Sequence, residues 1–178
     1  MSLRDEVLRA NAAFAAEFAG GGLARPPARG LAVVTCIDGR IDPLAALGLA
    51  PGDANVLRNA GARVTDDVLR SLVVSRHLLG MRETLVVGHT DCGLEGRTNE
   101  ELRADVPGSD GLDFLPFADL EESVREGVRR IRALPLLADV EATGWVYEVE
   151  TGRLREVEPS PSNTVLLGSA RATRAARR

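Results

Sequence analysis

Leu31-Ala-Val-Val-Thr35 running into Cys36-Ile-Asp38-Gly-Arg40, and Thr84-Leu-Val-Val-Gly88 running into His89-Thr-Asp91-Cys92-Gly93, decide how this chain reads. Each pairs a short apolar run with ligand-type residues at its carboxyl end. Runs of this length, rich in valine, read as buried parallel strands. In an open α/β sheet, ligands gather at the carboxyl ends of strands. Both cysteines of the chain and one of its two histidines stand there. Two thiolates and one imidazole suit Zn²⁺ and leave its fourth position open, the mark of a catalytic rather than a structural site. The pattern points to a zinc hydrolase or hydratase.

Outward from these strands, the chain punctuates itself clearly. Residues 4–19 show helical spacing of Val7, Phe14 and Phe18, closed by Gly20-Gly-Gly22. Residues 20–30 read as a Gly/Pro-rich linker. A lone helix before a linker cannot bury its stripe on itself, so it lies either on a partner subunit or back on its own domain. Residues 43–50 read as a short helical turn opened by Pro43, and 54–58 as a second strand running into Asn59-Ala-Gly61. Thr65 caps a helix to Leu79, with Asp66 and Asp67 in its first turn and Gly80 closing it. Helices follow at 98–103 and 120–133, the second with Leu120, Val124, Val128 and Ile131 on one face. Residues 144–157 read as a hairpin turning at Thr151-Gly152. This order predicts an α/β fold: a mostly parallel sheet with flanking helices and an antiparallel edge hairpin. Right-handed crossovers place the first and third strands side by side, which the metal site requires.

The spacing is Cys-x-Asp-x-Arg, then 48 residues, then His-x-x-Cys. His89 and Cys92 reach one ion from a single strand-end turn, and Cys36 joins them from the neighbouring strand. Asp38, two residues past Cys36, can point toward the fourth coordination position. Left unpaired, it would bind the metal itself. The Arg40 guanidinium can engage both carboxylate oxygens and hold Asp38 off. Asp38 can then orient a zinc-bound hydroxide for attack. Read otherwise, Asp38 and Arg40 are a surface ion pair of little value, and the cysteines are core residues. A closed structural zinc site would need a fourth protein ligand, and His77, on a helix face, is the one spare histidine.

Composition narrows the partners. All 22 basic residues are arginine, four of them in 171–178, which leaves 18 against 26 acidic residues in the rest. Such an acidic body is a poor nucleic-acid binder. No run of apolar residues is long enough for a transmembrane helix, and the charged start does not resemble a signal peptide. A cytoplasmic setting is expected, in which two cysteines serve as ligands or thiols rather than as a disulfide.

Taken together, Cys36-Ile-Asp-Gly-Arg40, Arg58-Asn-Ala-Gly61, His89-Thr-Asp-Cys-Gly93 and the helix Thr65–Ser75 resemble the β-class carbonic anhydrases, in their short form, over about Leu31 to Val157. The resemblance implies zinc on Cys36, His89 and Cys92, with Asp38 taking the fourth position in a closed state and pairing with Arg40 in an open one. It implies reversible hydration of carbon dioxide to bicarbonate and a proton. It also implies a homodimer or dimer of dimers, with an N-terminal helical arm over 1–22 reaching across. Residues 23–158 would form the zinc domain and 159–178 a flexible, Arg-rich extension. Gly39 departs from the family's usual serine or alanine, and the chain has no glutamine to hydrogen-bond substrate. The same scaffold serves hydrolases of carbon disulfide and carbonyl sulfide. A non-catalytic zinc- or redox-responsive module is the remaining alternative.

Two thiolates cancel the charge of the ion, so its water should be less acid than on a three-histidine site, where a pKa of about 7 is documented. Turnover should therefore rise toward alkaline pH. A stopped-flow rate profile flat from about pH 6 to about pH 9 would contradict the neutral Cys₂His donor set.

Overall fold

A computed structural model describes residues 1–157. The C-terminal extension expected over 159–178 lies outside the described residues. Five strands form one sheet in the order β2-β1-β3-β4-β5. They are β1 (Leu31–Cys36), β2 (Ala54–Asn59), β3 (Glu83–His89), β4 (Glu141–Tyr147) and β5 (Leu154–Glu156). β2, β1, β3 and β4 run parallel, and β5 returns antiparallel on β4. The first and third strands are neighbours, with Val33 opposite Leu85 and Thr35 opposite Val87.

All six residues of β1 are buried, as a strand covered on both faces and both edges demands. Side chains alternate between two cores. Ala32, Val34, Cys36, Val86 and Val146 face the helices, while Leu31, Val33, Leu85 and Val87 pack with Leu47, Leu49, Trp145 and Leu154 on the other side. The helical side is covered by α3 (Asp66–Leu79) and α5 (Leu120–Ala133). Helix α3 begins where the Thr65 hydroxyl accepts from the Val68 N–H and stops at Gly80, whose φ of +73° closes the last turn. Helix α5 is capped by Asp119 and buries Leu120, Val124, Val128 and Ile131, the stripe read from the sequence.

Beyond shifts of one or two residues at other ends, three boundaries differ from expectation. Helix α1 (Leu3–Ala16) ends three residues early and buries none of its side chains; Val7, Phe14 and Phe18 are exposed. Its start is firm, because Ser2 and Asp5 form a reciprocal capping box. The turn at Pro43 is only α2 (Pro43–Ala46), since Gly48 takes φ +63° soon after. The hairpin's first strand begins at Glu141, because β4 is also the fourth parallel strand, paired with β3 from Glu83↔Glu141 onward. The remaining helix, α4 (Asn99–Asp105), carries a Thr98–Glu101 capping box.

Gly144 explains the last difference. It sits inside β4, where a Cβ would fall 2.6 Å from a Val124 methyl of α5; at Gly88 of β3 one would fall 2.8 Å from the other. The glycines let the helix lie close on the sheet, and Gly144, weak in a strand by propensity, reads as an element boundary although it lies inside one. Gly144→Ala should destabilise by about 1–3 kcal/mol through overpacking. Adding Val124→Ala should recover part of the loss, so that denaturant midpoints of the two single variants and the double give a clear coupling.

Candidate metal centre

β1 and β3 end side by side, so their carboxyl ends deliver Cys36 and His89 to one place. The chain past His89 is tied to the next strand: the Thr90 N–H donates to the Tyr147 carbonyl at 3.0 Å, and the Val149 N–H donates to the Thr90 hydroxyl at 3.1 Å. Asp91 takes the left-handed φ of +56°, which aspartate tolerates better than most side chains, and the reversal brings Cys92 back to the strand ends. The ligand atoms of Cys36, His89 and Cys92 lie within 4.8 Å of one another, and all three residues are buried.

The His89 ring is oriented by its own backbone: Nδ1 lies 2.9 Å from the Thr90 carbonyl and donates to it. That tautomer leaves the lone pair on Nε2. Nε2 is buried and has no hydrogen-bond partner among the described residues. A buried ring nitrogen left without a partner beside two thiols is what a metal ligand looks like before its metal is counted. The donor set fits zinc, a closed ring of three with one position to spare.

Each thiol has its own surroundings. The Gly61 N–H donates to Cys36 Sγ at 3.3 Å. Gly61 stands in a tight turn after β2 at φ +76°, where a Cβ would also crowd Leu94 and Phe117. Asn59 braces that turn, its amide donating to the Arg63 carbonyl and its oxygen accepting from the Arg63 N–H. Burial pushes the Cys92 thiol up, offset in part by a hydrogen bond from the Leu94 N–H.

Asp38 stands outside the three-residue group, with its carboxylate engaged by Arg40. Arg40 donates through Nη2 to Oδ2 at 2.7 Å, through Nε to Oδ1 at 3.0 Å, and through its backbone N–H to Oδ1 at 2.9 Å. These side-chain bonds first, and the backbone bond next, hold the Asp38 carboxyl well below the usual carboxylate range. Oδ2 is 4.0 Å from His89 Nδ1, so the carboxylate borders the metal ring. Two further sets of contacts have no counterpart in the sequence reading, although Arg58 and Asp91 both stand in the motifs quoted above. Arg58 donates to the carbonyls of Cys36 (2.8 Å) and Asp38 (2.7 Å), clamping the loop that holds both. Arg40 also reaches Asp91, through Nη1 to its carboxylate at 2.7 Å and through Nη2 to its carbonyl at 3.0 Å. His77 is exposed on α3 with Nε2 2.9 Å from the Leu136 carbonyl, far from any ligand role.

The carbonic anhydrase family model matches residues 31–105, which span both ligand loops. Beta-carbonic anhydrase 1 of Mycobacterium tuberculosis is 39% identical over 164 residues, covering 89% of this chain and all of that protein. A carbon disulfide hydrolase of Acidianus sp. is 38% identical, covering 74% of this chain and 78% of its own. The crystal structure of a carbonic anhydrase from Streptococcus mutans superposes with a TM-score of 0.81 at 46% identity, covering 89% of this chain and 99% of its own.

Because burial raises the Cys92 thiol, the metal-free protein holds that sulfur protonated at neutral pH. Zinc uptake should therefore release protons, with Cys92 supplying about one per ion. Calorimetric titration in buffers of different ionisation enthalpy checks this, and Cys92→Ser should release fewer.

Proposed function

The chain belongs to the β-carbonic anhydrase family, and we infer that it catalyses the reversible hydration of carbon dioxide to bicarbonate and a proton, with zinc as its metal. It is an enzyme of the carbonate dehydratase type, a lyase. The observation that carries the reading is the partnerless Nε2 of His89, buried beside two thiols at the ends of adjacent strands.

Cys36, His89 and Cys92 would hold the zinc. When bound, the ion makes a water acidic enough to serve as a nucleophile near neutral pH. The residues around it do the rest. The Thr90 carbonyl fixes the His89 ring, and the Gly61 N–H donates to the Cys36 sulfur and fixes its position. Arg58 holds the backbone on both sides of Ile37. Asp38 is the acceptor of the site. Its Oδ1 accepts from the Arg40 N–H and Nε, and its Oδ2 accepts from Nη2 at 2.7 Å and, more weakly, from the shared Nε at 3.3 Å, so a hydrogen bond from the nucleophile would take the place of the long Nε contact at Oδ2. Arg40 keeps that carboxylate ionised and turned from the metal. Since the Asp38 pKa is depressed, its ion pair contributes fully above the ordinary carboxylate pKa and is lost only as the pH falls below it. The working pH range therefore leaves Asp38 unchanged, and any alkaline rise in rate arises elsewhere.

The substrate is carbon dioxide or bicarbonate. Kinship with a carbon disulfide hydrolase makes CS₂ and COS the competing substrates, which differ from CO₂ chiefly in size. A homodimer or dimer of dimers suits helix α1, whose Phe14 lies exposed beside Phe18 just past its end. A reducing, cytoplasmic setting suits Cys36 and Cys92, both free thiols.

Asp38→Ala should keep its zinc and lose turnover by roughly 10²-fold, the scale of a positioned acid–base group. Metal analysis with stopped-flow assay on CO₂, CS₂ and COS checks this. Zinc binding without turnover of any of the three gases, and unchanged by Asp38→Ala, would favour a binding module; wild-type turnover in Asp38→Ala would remove the role given to Asp38; and faster turnover of CS₂ than of CO₂ would favour a hydrolase.

A further inference from the structure

We propose that Asp91 is a positioning residue of this reaction: it pins the Arg40 guanidinium from the opposite ligand loop and so keeps Asp38 turned away from the metal. The proposal rests on the role given to Asp38 above.

Arg40 and Asp38 are two residues apart on the same loop, and the Arg40 side chain is 47% exposed. A local, half-exposed ion pair is a weak restraint by itself. Carboxylate and guanidinium could swing toward the metal together without breaking a bond. Asp91 removes that freedom because it belongs to the other strand end, between His89 and Cys92. Its carboxylate takes Arg40 Nη1 at 2.7 Å and its carbonyl takes Nη2 at 3.0 Å. The planar fork is then held at both edges, by one loop on the Asp38 side and by the other on the Asp91 side.

Asp91 could instead weaken the dyad by drawing Arg40 away, but two facts oppose this. Nη1 serves Asp91 alone among the described residues, whereas Asp38 is bonded through Nε, Nη2 and the backbone N–H, so the carboxylates do not compete for Nη1. The Asp91 side chain is 78% exposed, and its charge is largely screened from Asp38. What remains is the geometric tether. The backbone also makes the test clean: at φ +56°, asparagine and glycine both keep the turn that presents Cys92.

The experiment compares wild type, Asp91→Gly, Asp91→Asn, Asp38→Ala and the Asp91→Gly/Asp38→Ala double variant. Zinc content, kcat and KM for CO₂, and the visible spectrum of the cobalt-substituted proteins are measured for each. Asp91→Gly removes the side-chain acceptor of Nη1 and should keep full zinc and a KM within about twofold, with kcat lower by about tenfold. Asp91→Asn should stay close to wild type, because its amide oxygen still accepts from Nη1. In the Asp38→Ala background Asp91→Gly should cause no further fall, because the residue it acts through is gone. The cobalt spectrum should change on Asp91→Gly in the wild-type background and stay fixed in the Asp38→Ala background. An unchanged kcat and spectrum in Asp91→Gly would overturn the proposal, and so would an Asp91→Asn as impaired as Asp91→Gly. So would loss of zinc, or an equal fall in kcat in both backgrounds, since either makes Asp91 a residue of loop folding. Wild-type turnover in Asp38→Ala is a separate outcome: it removes the Asp38 role, and the proposal with it.

Discussion

A buried polar atom without a partner costs about 1–3 kcal/mol, and the described part of this chain keeps one such side-chain atom, Nε2 of His89. Everything near it is arranged to keep it so. The Thr90 carbonyl occupies the other ring nitrogen, β1 and β3 bury the ring, and the nearest donors are two thiols that bind a metal better than they bind each other. The fold thus holds an unmet demand in place and leaves one class of solution, a soft divalent ion. The parallel pairing of β1 with β3 makes this possible. Had those strands been separated by another, Cys36 would lie roughly 5 Å further from His89 and the triad could not close.

The parts of this architecture that repeat along the chain were legible in the sequence. The α5 stripe, the Thr65 cap and the Gly80 stop are local patterns, and each falls where the spacing puts it. The ligand triad was legible because cysteine and histidine are scarce here and stand after apolar runs. The contacts of Arg58 and Asp91 were not, although both residues stand in the motifs that carry the resemblance. A motif does not say what a guanidinium touches, and only the register of β2 on β1 sets Arg58 against the Cys36 carbonyl. Asp91 lies 51 residues from the guanidinium it holds, with no periodicity linking them. The start of β4 was misjudged for a related reason. Gly144 is depleted in strands in general and required in this one, because Val124 occupies the space of its Cβ.

Helix α1 poses the opposite problem, a strong local signal with no tertiary reward. It has a capping box, and its Phe14 meets Phe18, just past the helix end, at 5.4 Å between centroids, yet none of its side chains is buried. Helices of about this length are marginal alone in water. The capping box contributes on the order of 1 kcal/mol, which sets where the helix starts rather than whether it persists. Its exposed apolar stripe gains stability only against another surface, and within the described chain no such surface meets it. The subunit contact proposed above would supply that surface, and with it a reason for an element that the sheet and its covering helices do not themselves need.

The metal centre and its surroundings also divide labour by charge. Two thiolates neutralise a divalent ion, so the inner ring would be formally uncharged and would exert little long-range pull on Asp38. Arg40 then faces no strong competitor for that carboxylate, and its hydrogen bonds decide where Asp38 points. A site with three neutral ligands would keep its full positive charge and draw the same aspartate inward. The choice of sulfur over nitrogen at two positions would therefore weaken the metal's hold on Asp38, so that a guanidinium half in solvent, itself tied to Asp91, can govern the acceptor. The lower acidity that the thiolates impose on a bound water is the consequence of that same choice.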